Sequence, residues 1–294
     1  MDELVILKAK ATDGTPLEAV FAPKRGMNLL SYKKGDIEVI DPSTRTLYDE
    51  RSAGLGSLIG PHFHRRRYNA ISYIPNEEAF PHIKRVLEKS GEIDPFSHGI
   101  SRYAPWNFQA AADEIKGVLK GSDSWNGVSL KEIEGQNFTM NFEAKLSAEG
   151  LNIKLSVVSD TDSLVGLHYY YHLPENNGFV KSKVKSYFLN ENGARVLLDE
   201  KPWFNKTTHE LRFPANQGVD MAFHSYPDPL NTEILLDALK WKLTIKTHSL
   251  NEENSWQLYR PEKGSFICIE PISAQDPRHP NLTVSSIDVL LTIQ

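Results

Sequence analysis

The chain has 294 residues, a formal charge of −5, 40% hydrophobic and 24% charged residues. This is the make-up of a globular protein long enough to bury a large core. With no basic excess, it lacks the electrostatic footprint that nucleic acid or an anionic membrane surface requires. All-β folds commonly run this long as one unit, and no repeat, low-complexity tract or linker interrupts the sequence, so residues 1–294 are read as a single domain.

In chain order, MDELVILKAK carries acids early and only a short apolar run, so it is read as neither a signal peptide nor a spanning helix. No later run reaches membrane length. In GPHFHRRRYN, His62 and His64 alternate with Phe63 and Arg65. A run of three arginines is usually a solvated edge; Arg65, nearest the Gly-Pro turn, is the one read as a substrate clamp. PHIKRVLEKSG places Ile83, Val86 and Leu87 on one side and Gly91 as a stop, which predicts a helix. SHGISRYAPW then offers the proton-active ring of His98, the donor fork of Arg102 and the flat face of Trp106. Together these make a kit for holding a small polar ring such as a sugar.

Period-two alternation follows. Phe138, Met140, Phe142, Ala144 and Leu146 form one face of FTMNFEAKL, and Leu151, Ile153, Leu155 and Val157 one face of LNIKLSVV. Leu239, Trp241, Leu243 and Ile245 do so in LKWKLTIK, and Ile287, Val289, Leu291 and Ile293 in SSIDVLLTI. Each predicts a half-buried antiparallel strand. Turn signals at Glu149-Gly150, Asn192-Gly193 and Glu262-Lys263-Gly264 separate such strands. Many strands with few helices predict an all-β protein, a large antiparallel β-sandwich.

Three segments within this pattern carry chemistry. On a strand, GLHYYYHLP puts His168, Tyr170 and His172 on one face. The zinc motif H-E-x-x-H is excluded because position 169 is Tyr, so no metal is expected. For His172, a structural histidine is the plainer reading. NQGVDMAF places Asp220 beside a Gly, a position Asp often takes for backbone reasons. FICIEPIS sets Glu270 at the end of an apolar run, where desolvation raises a carboxyl's pKa and suits it to general acid or base work. Cys268, the single cysteine, is read as a small core residue. One cysteine forms no internal disulfide and suits a reducing compartment, so the protein is read as soluble and cytoplasmic.

The order His98, His168, Asp220, Glu270 resembles the aldose 1-epimerase, or galactose mutarotase-like, family. HGISRYAPW is similar to its His-Gly-Phe-Ala-Arg segment ending in Pro-Trp, especially in the hexose-6-phosphate 1-epimerase branch. LHYYYHL resembles its Asn-His-x-Tyr-Phe-Asn-Leu strand, IEPIS the strand ending in Glu-Pro, GPHFHR the Gly-Arg-x-x-Asn-Arg turn, and GVDMAF the segment of the sugar-binding aspartate. The likeness covers roughly residues 55 to 275. Pro61, His64, Leu167 and His172 depart from the pattern.

The resemblance implies a galactose mutarotase-like sandwich and interconversion of sugar anomers through the open-chain aldehyde, with no cofactor. It makes Glu270 the base and His168 the acid, flanking the sugar ring from converging strands. His98 and Arg65 would bind the ring oxygen and neighbouring hydroxyls, Asp220 hydroxyls further round, and Trp106 or Tyr170 the apolar face, with Arg102 also a substrate-binding residue. The expected partner is a sugar or sugar phosphate, bound by a monomer or homodimer. Two alternatives stand beside this: a hexose-6-phosphate 1-epimerase with a clamp among Arg65, Arg66, Arg67, Lys84, Arg85 and Arg102, and a carbohydrate-binding protein without turnover. A glycoside hydrolase using Asp220 and Glu270 as paired carboxylates is a more distant third.

Overall fold

The structure is a computed structural model that describes residues 3–64, 74, 76–80, 83 and 94–294. The helix expected over residues 81–91 lies outside the described residues, apart from Ile83. All paired strands among the described residues run antiparallel, as alternation without βαβ spacing predicts.

Two sheets make the sandwich. The first runs in space through Val5–Lys10, Pro16–Ala22, Asn28–Lys34, Gly56–Ile59, Gly166–His172, Phe266–Ile272, Ser255–Arg260 and Val219–Ser225. The second runs through Asn107–Ala110, Glu114–Lys120, Phe138–Ser147, Gly150–Ser159, Val284–Ile293, Lys242–His248 and Asn231–Asp237. The long strand Phe179–Asn190 belongs to both. Its first half pairs in the second sheet and its last residues in the first, with a register break between Val184 and Phe188. A break of this kind lets one strand turn from one layer into the other.

The alternating residues close the space between the sheets. Phe138, Met140, Phe142, Ala144 and Leu146 are all buried, as are Ile287, Val289, Leu291 and Ile293. Phe21 of the first sheet meets Phe142 of the second edge-to-face at 5.7 Å between centroids. Tyr32 crosses the core: its hydroxyl donates to Leu291 O at 3.0 Å and accepts from Leu151 N–H at 3.1 Å. One strand starts later than its pattern suggests. Leu239 sits in a turn at φ +66° and is exposed, and the strand begins at Lys242.

The central strands Gly166–His172 and Phe266–Ile272 do not alternate between buried and exposed; nearly every residue is buried. Leu167, Tyr169 and Tyr171 join the sandwich core. The opposite face, carrying His168 and Tyr170, is covered by the segments before and after Gly99, and a cavity remains there.

Candidate active site

The site is a row of polar side chains across the first sheet. Gly166 stands opposite Ile272 and Tyr170 opposite Cys268, a register that sets His168 opposite Glu270. On its other side His168 pairs with Ser57, and Glu270 pairs with Gln257. Gln257 Nε2 hydrogen-bonds Asp220 Oδ1. One side of the sheet therefore carries His168, Glu270, Gln257 and Asp220: opposed positions of adjacent strands project to the same face, and Asp220, opposite Tyr259, is the diagonal neighbour of Gln257 on that face.

His168 Nε2 lies 3.4 Å from Glu270 Oε1. Both are deeply buried, at 7% and 2% exposure, yet both line a cavity of about 320 Å³. That is at the small end of pockets that enclose a ligand. The expectation that the two flank the sugar from opposite sides needs correcting. Their strands are hydrogen-bonded neighbours, so they stand side by side on the cavity floor.

The wall opposite is built by SHGISRYAPW. His98 takes φ +66° and Gly99 φ +92°. A Cβ on Gly99 would lie 2.0 Å from Gly60 O, so only glycine fits this crossing. The turn sets the His98 ring edge-on to His168 at 5.1 Å. His64 and Phe63 each approach the His98 ring at 4.9 Å. Tyr170 stacks on His168 at 4.9 Å with a 16° interplanar angle and fixes the plane of that imidazole.

Arg102 is 2% exposed and lines the cavity. Its Nε donates to Leu58 O at 3.2 Å, and among the described residues its buried Nη2 has no hydrogen-bond partner, nor do Nδ1 of His98 and of His168. Unpaired buried donors beside a cavity await a ligand's oxygens. Burial pushes His98 and His168 well below the ordinary imidazole pKa, and the nearby Arg102 guanidinium adds to this. Burial pushes Glu270 well above the ordinary carboxyl value, opposed by Arg102 and reinforced by Asp220. Asp220 is raised too, by burial, against the pull of Arg278 and the Gln257 hydrogen bond.

Of the residues singled out in the sequence, the cavity lining thus gathers Glu270, His168, His98, Arg102, Tyr170 and Asp220. Arg65 lies outside the described residues, with Arg66, Arg67, Lys84 and Arg85. Trp106 is corrected: it is completely buried, packs edge-to-face on Phe142 and donates Nε1–H to Ser101 O at 2.9 Å. It has no face to offer a sugar. Trp106→Ala is expected to cost about 3–5 kcal/mol in urea unfolding; a variant as stable as the parent would refute the core role. His172 lies at the strand end, 3.8 Å from Asp41, away from the cavity.

Sequence reasoning missed Gln257, Tyr259 and Arg51, all of which line the cavity. SWQLYR bears no periodic or motif signal that separates Gln257 and Tyr259 from ordinary strand residues, and Arg51, at the end of the helix Arg45–Arg51, lies in a segment with none. His168, Cys268 and Glu270 have donor atoms within 4.8 Å of one another and are the residues that could take a metal ion. The adjacent Arg102 charge opposes a cation there.

No family model and no curated protein matches this chain. Solved structures do. A protein from Escherichia coli K12 described as an aldose 1-epimerase superposes with a TM-score of 0.66 at 13% identity, covering 99% of both chains. An aldose epimerase homologue from Caenorhabditis elegans gives 0.65 at 14% identity, covering 100% of this chain and 99% of the other. A galactose mutarotase-like protein from Clostridium acetobutylicum gives 0.64 at 12% identity, covering 99% of each. The class is thereby defined: the chain has the galactose mutarotase-like fold, end to end.

Proposed function

We propose that the protein is an aldose 1-epimerase that interconverts the α and β anomers of a hexose by acid–base ring opening. The observation that carries this reading is the Glu270–His168 pair, 3.4 Å apart on the floor of a small cavity of about 320 Å³. Ring opening needs two proton transfers at oxygens borne by the same carbon. One group removes the proton of the anomeric hydroxyl as C1=O forms. The bond from C1 to the ring oxygen breaks, and that oxygen takes a proton from the other group. After rotation about C1–C2 the steps run backwards and close the ring in either configuration. Two adjacent side chains match two oxygens on one carbon.

The pair holds one proton between its members. Burial favours its uncharged form, carboxylic acid with neutral imidazole, over carboxylate with imidazolium. Glu270 as base with His168 as acid is then one half of the cycle, and the reverse is the other half. His98 and Arg102 hydrogen-bond the ring oxygen and its neighbours, Asp220 with Gln257 holds hydroxyls further round, and Tyr170 and Tyr259 supply flat apolar contact. Arg65 keeps the role of clamp that the sequence suggests. The chemistry uses no cofactor, and the composition suits a soluble cytoplasmic enzyme.

The uncharged pair has a pH signature. The ordinary values, 6.5 for imidazole and 4.5 for carboxyl, would confine the one-proton form to the interval between them. Here the imidazole gains its proton only at lower pH and the carboxyl loses its own only at higher pH. The expected kcat/KM, which reports the free enzyme, therefore holds over a range extended beyond that interval on both sides. It falls on acidification below 6.5, and on the alkaline side only above the ordinary carboxyl range. A profile peaking between 4.5 and 6.5 and declining above would show that the charged pair carries the reaction.

Exchange NMR on a panel of free and phosphorylated hexoses tests the function. Acceleration of anomer exchange supports it, and saturable sugar binding without acceleration assigns a binding protein instead. One observation favours a second reading, a hexose-6-phosphate 1-epimerase: two arginines, Arg51 and Arg102, line the cavity, each with a buried nitrogen that has no hydrogen-bond partner among the described residues. Salt-sensitive selectivity for the phosphorylated sugar distinguishes it.

A further inference from the structure

We propose that Glu134 is a positioning residue for His98 and Arg102, acting through a buried clamp behind the cavity wall. The kinetic part of this rests on the function proposed above; the structural part does not.

Glu134 ends the short helix Leu130–Glu134 and is 1% exposed. A buried carboxylate persists only when its oxygens are satisfied, and here each oxygen holds a different segment. His62 Nδ1 hydrogen-bonds Oε1, and Ile100 N–H donates to Oε2 at 3.2 Å. His62 follows Gly60 and Pro61, and Ile100 opens the turn Ile100–Arg102. The same two segments are laced directly: Gly60 N–H donates to His98 O at 2.8 Å, and Ser101 N–H to Gly60 O at 3.1 Å. Phe63 and His64, beside His62, touch the His98 ring. Neither Glu134 nor His62 lines the cavity.

The geometry explains why a polar group serves here. His98 and Gly99 both have positive φ, and Gly99 crosses the Gly60 backbone with no room to spare. Such a turn keeps its shape only when its surroundings over-determine it. Apolar packing would fill the space behind the turn without directing it. Two hydrogen bonds from one carboxylate set its orientation, and with it the approach of His98 to His168 and the reach of Arg102.

Glu134→Gln keeps the shape but turns an NH₂ group toward one of the two partners: facing Ile100 N–H it loses that bond, and facing His62 Nδ1 it forces that ring into the tautomer that accepts there, so the clamp is altered either way. Per folded molecule, kcat/KM is expected to fall about tenfold, mostly in kcat, as for a displaced reacting group. The ring signals of His98 in histidine-labelled protein are expected to shift, and the loss caused by the variant to be smaller in a His98→Ala background than in the parent, the remainder acting through Arg102. Unchanged rates with unmoved His98 signals, or losses that add fully, would overturn the proposal. Should no sugar be turned over, the proposed function fails, while the His98 signals still decide this point: shifted supports the clamp, unmoved refutes it. If Glu134→Gln does not fold, His62→Ala keeps the Ile100 bond; it is expected to move the same signals and to lower kcat/KM about threefold, and unmoved signals refute the clamp.

Discussion

Glu270→Gln is expected to lose nearly all acceleration of anomer exchange, a fall of about 10³–10⁴-fold. The amide has the shape of the protonated carboxyl and can donate a hydrogen bond, but it cannot release or accept a proton at the working pH. The fold should tolerate it. Glu270 is 2% exposed and burial pushes its carboxyl toward the protonated form, which the amide matches in shape and in lack of charge. Thermal unfolding run beside exchange NMR separates the two effects: an unchanged midpoint with a collapsed rate is the expected pair. Full wild-type rate in this variant would mean that the proton passes elsewhere and that the proposed pair is wrong.

His168→Ala is expected to lower the rate about 10²–10⁴-fold, and His172→Ala by no more than about twofold. Both rings lie on the same strand, four residues apart, and composition alone does not rank them. His168 is buried against Glu270, stacked on Tyr170 and opens to the cavity. The His172 side chain is 38% exposed beside Asp41 at the strand end. The same exchange measurement ranks the variants. The reverse order would move the acid–base centre to the end of the strand.

The strands were the most legible part. Sustained alternation in FTMNFEAKL and SSIDVLLTI marks a surface buried on one side, and both form strands with the expected face inward. Leu239 shows the limit, because a tight turn took one position that continued the pattern. Trp106 shows another. An aromatic next to polar groups in sequence reads as a ligand platform, but where its face points is decided by packing against Phe142, a residue from another strand. Glu134 and Gln257 had no signal at all, since each matters only through partners distant in the chain: His62 and Ile100 for one, Asp220 for the other.

By itself the amino-acid order determined that this is an antiparallel β protein, because period-two hydrophobicity has only one way to be buried in a sheet. It also determined that a carboxyl at the end of an apolar run would have a raised pKa, because desolvation follows from apolar neighbours in the same strand. Only the tertiary structure decided that Glu270 and His168 stand side by side rather than face to face. Strand register is a relation between segments about a hundred residues apart, and it emerges only when the sheet assembles.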